Sequence, residues 1–317
     1  MHTSNTPSNA WLPQDWRSKS AWLESAHHAA RVFRRGVAQV TPQQIRHAIE
    51  MASRLNPGPW GGDFKPFEFK DWRGAEVTWK EHAEGTVLWI HGGAFAFGSP
   101  RVYRAAAVHL ARATRCRVIL PKYRLAPNHV HPTAHDDVDK ALGACVKAFG
   151  QVVLLGDSAG GNLALSACLR GMSSRHAPKA IAGLALLSPW CDLREEAASI
   201  QANLVAHSPF NHEDSLEYSR MYLAGHDASD ARVSPLLSSS FEGLPSVYLE
   251  WALDEFLAPD IASLSQKMTH AGVALETRME PQAVHGWQLL PDFLPEAKRS
   301  TAALGNWVRI RLGLQQA

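Results

Sequence analysis

The sequence predicts an α/β fold, a mostly parallel sheet with helices on both faces. Two observations carry this expectation. Short apolar runs alternate with longer helical stretches over most of the chain, which is the pattern of strands joined by crossover helices. The chain has 317 residues, 45% of them hydrophobic and 20% charged, enough to bury a large core within one domain.

The first sixty residues read as helical pieces. One spans 20–39 and a second 42–55. The second opens with Thr41 as N-cap and Pro42 at the first helical position. It stops at Asn56-Pro57-Gly58-Pro59, a cluster that breaks regular structure. Residues 67–81 read as two strands around a turn near Arg73-Gly74. Strand-like runs then follow at 86–90, 117–120, 151–155, 181–187, 246–252 and 273–279. Between and after them lie helical stretches at 102–113, 136–149, 161–172, 258–270 and 295–312. The stretch 195–236 holds no clear strand but carries a helical segment at 212–223. An insertion of that length over strand ends is usually functional. Residues 1–65 and this insertion are therefore read as two parts of a helical cap, with 66–317 as the catalytic domain.

Bulk properties exclude several functions. The net charge of +2 gives no electrostatic case for nucleic acid or an anionic membrane. No run approaches the roughly 18 apolar residues of a spanning helix. The N-terminal residues lack a basic and apolar leader, so the expected compartment is cytoplasmic. Cys116, Cys145, Cys168 and Cys191 have no metal-like spacing and read as free thiols in the core. The sixteen histidines, His27-His28 included, show no metal spacing with acidic partners, so no metal is expected.

Chemistry is concentrated in one stretch. The run 151–155 leads into Gly156-Asp157-Ser158-Ala159-Gly160, and a helical stretch follows. This G-x-S-x-G turn between strand and helix is a nucleophile elbow. Its glycines allow a tight turn. The helix N-terminus favours the negative charge that develops in acyl transfer. Upstream, the run 86–90 is followed by His91-Gly92-Gly93-Ala94-Phe95. A Gly-rich loop after a strand can aim bare N–H groups at an oxyanion. The N–H groups of Gly93, Ala94 and Ala159 are the expected donors, with His91 bracing the loop.

A serine hydroxyl needs a base, and the base needs a carboxylate to orient it. In this architecture the order is Ser, acid, His, with both partners on loops after late strands. The histidines beyond Ser158 are His176, His207, His212, His226, His270 and His285. His285 follows the last strand-like run by a short loop and is the expected base. Asp254 stands at the end of the run 246–252 and is the expected acid, with Glu255 and Asp260 as the other carboxylates nearby. Phe95, Trp190 and Trp287 adjoin the motifs and are the pocket candidates.

Together, His91-Gly-Gly-Ala-Phe95 and Gly156-Asp-Ser-Ala-Gly-Gly161 resemble the hormone-sensitive-lipase-like family of esterases. Tyr123-Arg-Leu-Ala-Pro127, the segment Pro132 to Asp137, Leu187 to Asp192, Val233 to Leu236 and the His285-Gly286 pair resemble further family blocks. The resemblance covers residue 67 to the C-terminus. It implies the α/β-hydrolase fold, with a mostly parallel eight-stranded sheet and a helical cap. It also implies hydrolysis of short to medium acyl esters without a cofactor, with a small-molecule ester as partner. Many relatives dimerise, so a homodimer is compatible with it. Ala94 departs from the family's third glycine, and the loop tolerates it if φ is negative there. The same triad would serve a lactonase or an amidase. A ligand receptor on this scaffold would lack the histidine that is present here.

Overall fold

The computed structural model describes residues 40–69, 72–172, 180–197, 212–281 and 283–315. The expected helix at 20–39 and part of the insertion lie outside these residues.

Eight strands form one sheet: β1 (Gly62–Phe69), β2 (Trp72–Trp79), β3 (Thr86–Ile90), β4 (Arg117–Pro121), β5 (Val152–Asp157), β6 (Ile181–Leu187), β7 (Val247–Ala252) and β8 (Leu275–Glu280). Their order is β1-β2-β4-β3-β5-β6-β7-β8. The β1/β2 and β2/β4 pairs are antiparallel, and every later pair is parallel. The register aligns Leu88 with Leu154, Leu154 with Leu184, and Leu184 with Val247.

The described helices are α1 (Pro42–Ser53), α2 (Arg104–Thr114), α3 (Thr133–Phe149), α4 (Ser158–Met172), α5 (His212–Leu223), α6 (Ala258–His270) and α7 (Pro295–Arg311). α1 starts as its sequence predicts. Gln44 N–H donates to Thr41 Oγ1 at 3.3 Å, and Thr41 N–H donates to Gln44 Oε1 at 2.9 Å, a reciprocal capping box.

Side chains alternate across the sheet even though both faces are buried. Leu88, Ile90, Leu154, Leu184, Leu186 and Leu249 pack with α3, α4 and α6 on one face. Val87, Trp89, Val153, Leu155, Ala185 and Tyr248 pack with α2 and α7 on the other. This period of two turns each continuous apolar run into two half-cores. A leucine buried this completely contributes roughly 1.5–3 kcal/mol. All four cysteines are free and buried in these cores.

One local expectation is corrected. Arg73 and Gly74 do not form the first hairpin's turn. They pair inside β2, Gly74 opposite Phe67 and Arg73 opposite Glu68. Gly74 is needed for close approach, since a Cβ there would lie 2.4 Å from the Leu120 carbonyl oxygen. The sequence signal of a glycine is the same for a turn and for a tight strand contact.

Candidate active site

The parallel strands β3, β5, β7 and β8 end on the same edge of the sheet, the usual place for a site in this class. At the end of β5 the chain turns into α4 at Ser158, with φ of +50°. Left-handed backbone costs a non-glycine residue roughly 1–2 kcal/mol, so the surrounding packing must hold it. Gly160 makes the turn feasible. A Cβ on it would sit 2.1 Å from Ile90 O and 2.4 Å from His91 O. The elbow is thus wedged against the end of β3, which places the Gly-rich loop beside Ser158. A Cβ on Gly92 would lie 3.1 Å from Ser158 Cβ.

His285 comes from the loop after β8. Its Nε2 accepts from Ser158 Oγ at 2.9 Å, and its Nδ1 donates to Glu255 Oε2 at 3.1 Å. The Phe256 ring packs edge-on to the imidazole at 5.5 Å. The carboxylate facing His285 is therefore Glu255 and not Asp254. Glu255 is fully buried, whereas Asp254 is exposed. The loop after β7 turns at Leu253-Asp254, where Glu255 N–H donates back to Ala252 O and Ala258 N–H to Glu255 O. That turn points the second acidic residue inward and the first outward. Asp260 is buried in the first turn of α6. Among the other histidines weighed, His226 pairs with Asp230 and His270 with the Gln266 carbonyl. His176, His207 and the His212 side chain lie outside the described residues.

The Gly-rich loop after β3 is braced from below. Asp157 Oδ2 accepts from Tyr103 Oη at 2.6 Å, and Oδ1 accepts from Trp89 Nε1 at 2.8 Å and Gly92 N–H at 3.2 Å. Burial pushes the Asp157 carboxyl up to about 6, against the pull of these donors. His91 is fully buried, stacks on Tyr123 at 4.2 Å, and accepts the Tyr123 hydroxyl on its carbonyl at 2.7 Å. Burial lowers its imidazole to about 4, which keeps it neutral. It braces the loop, as expected. Sequence reasoning missed Asp157, Tyr103 and Trp89. Asp157 was visible in the elbow motif, but its partners are supplied by β3 and α2.

Gly93, Ala94 and Phe95 have φ of +113°, +50° and +57°. The condition of negative φ at Ala94 is therefore not met, because the loop coils left-handed through three residues. A glycine at this position would be free of that cost. Ala96 and Phe97 N–H groups close the coil by donating to Gly93 O at 2.9 and 2.7 Å. α1 clamps the far side, where Arg46 Nε donates to Ala96 O at 2.5 Å and Nη2 donates to Ala126 O.

A cavity of about 270 Å³ opens over Ser158 and His285, with mostly apolar walls that include Ile49, Phe97, Trp190, Tyr218, Phe256 and Leu289. Ile49 comes from α1 and Tyr218 from α5, so both regions read as cap line it. Trp190 is one of its walls, with its N–H donating to Ser158 O at 3.0 Å and its carbonyl accepting from Asn162 Nδ2 at 2.8 Å. Two pocket expectations are corrected. Phe95 is buried behind the loop, stacked on Tyr222 at 3.9 Å, because the coil turns its ring into the core. Trp287 faces away from the cavity, in a buried cluster with Ala252, Val284 and Leu294. Among the described residues, no helix is long and apolar enough to cross a membrane.

Comparisons with known proteins agree with this fold. Residues 87–289 match the family described as alpha/beta hydrolase fold. An esterase of Acinetobacter venetianus is 30% identical over 273 residues, 84% of this chain and 89% of that protein. An acetyl-hydrolase of Streptomyces hygroscopicus is 30% identical over 231 residues, 72% of this chain and 76% of that protein. The crystal structure of an esterase from the bacterial hormone-sensitive lipase family superposes with a TM-score of 0.86 at 26% identity, covering 93% of this chain and all of that one. The chain belongs to the α/β-hydrolase fold family, within its hormone-sensitive-lipase-like branch of carboxylester hydrolases.

Proposed function

We propose that the protein hydrolyses short acyl esters through an acyl-enzyme on Ser158, with His285 as general base and acid and Glu255 as the orienting carboxylate. The observation that carries this reading is the continuous hydrogen-bonded chain Glu255–His285–Ser158 at the floor of an apolar cavity. His285 Nε2 takes the Ser158 proton as Oγ attacks the ester carbonyl. The N–H groups of Gly93, Ala94 and Ala159 receive the developing oxyanion. His285 then protonates the leaving alcohol. Water, deprotonated by the same imidazole, attacks the acyl-enzyme and releases the acid. Glu255 keeps the proton of neutral His285 on Nδ1 and stabilises the imidazolium.

The acyl preference is argued from the cavity. About 270 Å³ lies just below the roughly 300–1,000 Å³ typical of ligand pockets. Bulky Trp190, Phe97 and Tyr218 are among its walls. The acetyl-hydrolase relative favours the same class.

The test is hydrolysis of p-nitrophenyl esters from acetate to palmitate, with Ser158→Ala beside the natural chain. Activity confined to short chains and lost in the variant supports the reading. Equal rates on palmitate refute the short-chain preference. Turnover of lactones or anilides with none of the esters reassigns the reaction to the lactonase or amidase class.

A further inference from the structure

Away from Ser158, three metal-ligating side chains converge from separate segments. His131 lies in the loop before α3, and His226 and Asp230 lie in the turn after α5. One ligand atom from each falls within 4.8 Å of the others. His226 Nε2 and Asp230 Oδ2 are 2.9 Å apart. The His131 and His226 rings lie 4.3 Å apart, tilted by 39°. His131 Nδ1 is buried and has no hydrogen-bond partner among the described residues. Such an orphan costs roughly 1–3 kcal/mol, and a ligand on that side of the ring would remove the cost.

The backbone already fixes these groups. His131 N–H donates to Tyr222 O at 2.9 Å, and His226 N–H donates to Leu223 O at 3.0 Å. Asp230 Oδ1 accepts Arg232 N–H at 2.8 Å, which leaves Oδ2 to the cluster. The Arg232 guanidinium, which acts on His131, is directed toward Asp136 at 3.8 Å. Two imidazoles and one carboxylate suit zinc, which takes nitrogen and oxygen ligands at ~2.0–2.1 Å in a tetrahedron. That geometry sets ligand atoms roughly 3.3 Å apart. The close pair must open by a few tenths of an ångström, and no other pair has to close by more than about 1.5 Å, the scale of side-chain torsions.

We propose that His131, His226 and Asp230 bind one divalent transition-metal ion, zinc fitting best, as a structural clasp between the loop entering α3 and the turn leaving α5. Water completes the shell. The clasp reaches the oxyanion loop through packing. The His131 ring meets Tyr222 edge-on at 5.9 Å, and Tyr222 stacks on Phe95, two residues beyond Gly93. An ion there ties down the back of the loop without touching substrate.

The experiment uses tag-free full-length chain, stripped with chelator and titrated with zinc chloride by calorimetry. Cobalt(II) replaces zinc in a parallel absorption titration, and melting temperature is read with and without zinc. The expected result is one zinc per chain, tetrahedral cobalt bands and a raised melting temperature. His226→Ala and Asp230→Asn each weaken binding by at least about 10-fold and abolish the zinc-dependent rise. His226 is exposed, so its alanine variant keeps its fold, and His226→Cys restores binding because a thiolate also ligates zinc. Zinc binding of equal strength in His226→Ala overturns the proposal, because the ion then sits on other histidines. So does the absence of saturable binding to the natural chain.

Discussion

Replacing Glu255 with Gln tests the orienting carboxylate at its centre. The change removes one charge from a buried site and preserves volume. His285 Nδ1 and Glu255 Oε2 are 3.1 Å apart, with side chains 7% and 0% exposed. At an effective dielectric of about 20, opposite unit charges at that distance attract by roughly 5 kcal/mol. That attraction exists only when His285 is protonated, in the transition state and the intermediates beside it. Its loss therefore raises the barrier and lowers kcat by about 10³–10⁴-fold, each decade costing about 1.4 kcal/mol. Asp254→Asn, at the exposed neighbour, leaves kcat within about twofold, as ordinary surface substitutions do. The assay is initial-rate hydrolysis of p-nitrophenyl butyrate by both variants, with thermal melts to show that each is folded. A folded Glu255→Gln enzyme with more than a tenth of the natural rate, or an Asp254→Asn enzyme reduced a thousandfold, refutes the assignment.

Three further outcomes follow from the geometry. His91 titrates near 4 when folded, against 6.5 ordinarily, so the unfolded chain binds the proton first. Its contribution to stability is full above pH 6.5 and is lost as pH falls toward 4, about 2–3 kcal/mol between pH 7 and 4.5. Urea melts at those two pH values should show a smaller acid loss in His91→Gln than in the natural chain, and equal losses would disprove the buried neutral imidazole. Gly160→Ala drives a Cβ into two β3-end carbonyl oxygens. It should cost at least about 2 kcal/mol and most of the activity, and an unchanged melting temperature would contradict the packed elbow. Ala94→Val places a β-branched residue at φ of +50°, where such residues are outliers. Its kcat should fall at least tenfold with little change in KM, and full activity would mean that the loop is not left-handed in solution.

The sequence by itself determined the sheet, the elbow and which histidine faces Ser158. Those features are local. Strand and helix follow from a run of side chains, so 86–90 and 258–270 are read at their observed limits. Ser158 is marked by glycines two residues to either side, and His285 by its place after the last strand. Features that depend on the direction of a side chain were decided only by tertiary structure. Asp254 and Glu255 are adjacent carboxylates at a strand end, and no pattern in the chain says which one the following turn buries. Phe95 and Trp287 adjoin motifs, yet their backbones aim the rings into the core. Asp157 is seen in the motif, but Trp89 and Tyr103 reach it from other elements. The same holds for His131, His226 and Asp230, whose proximity exists only once α3 and the turn after α5 are brought together. Periodicity and spacing encode what one segment does along its own axis. Contacts between segments are fixed by packing, where the cost of burying a charge or a strained turn selects among residues that the sequence leaves equivalent.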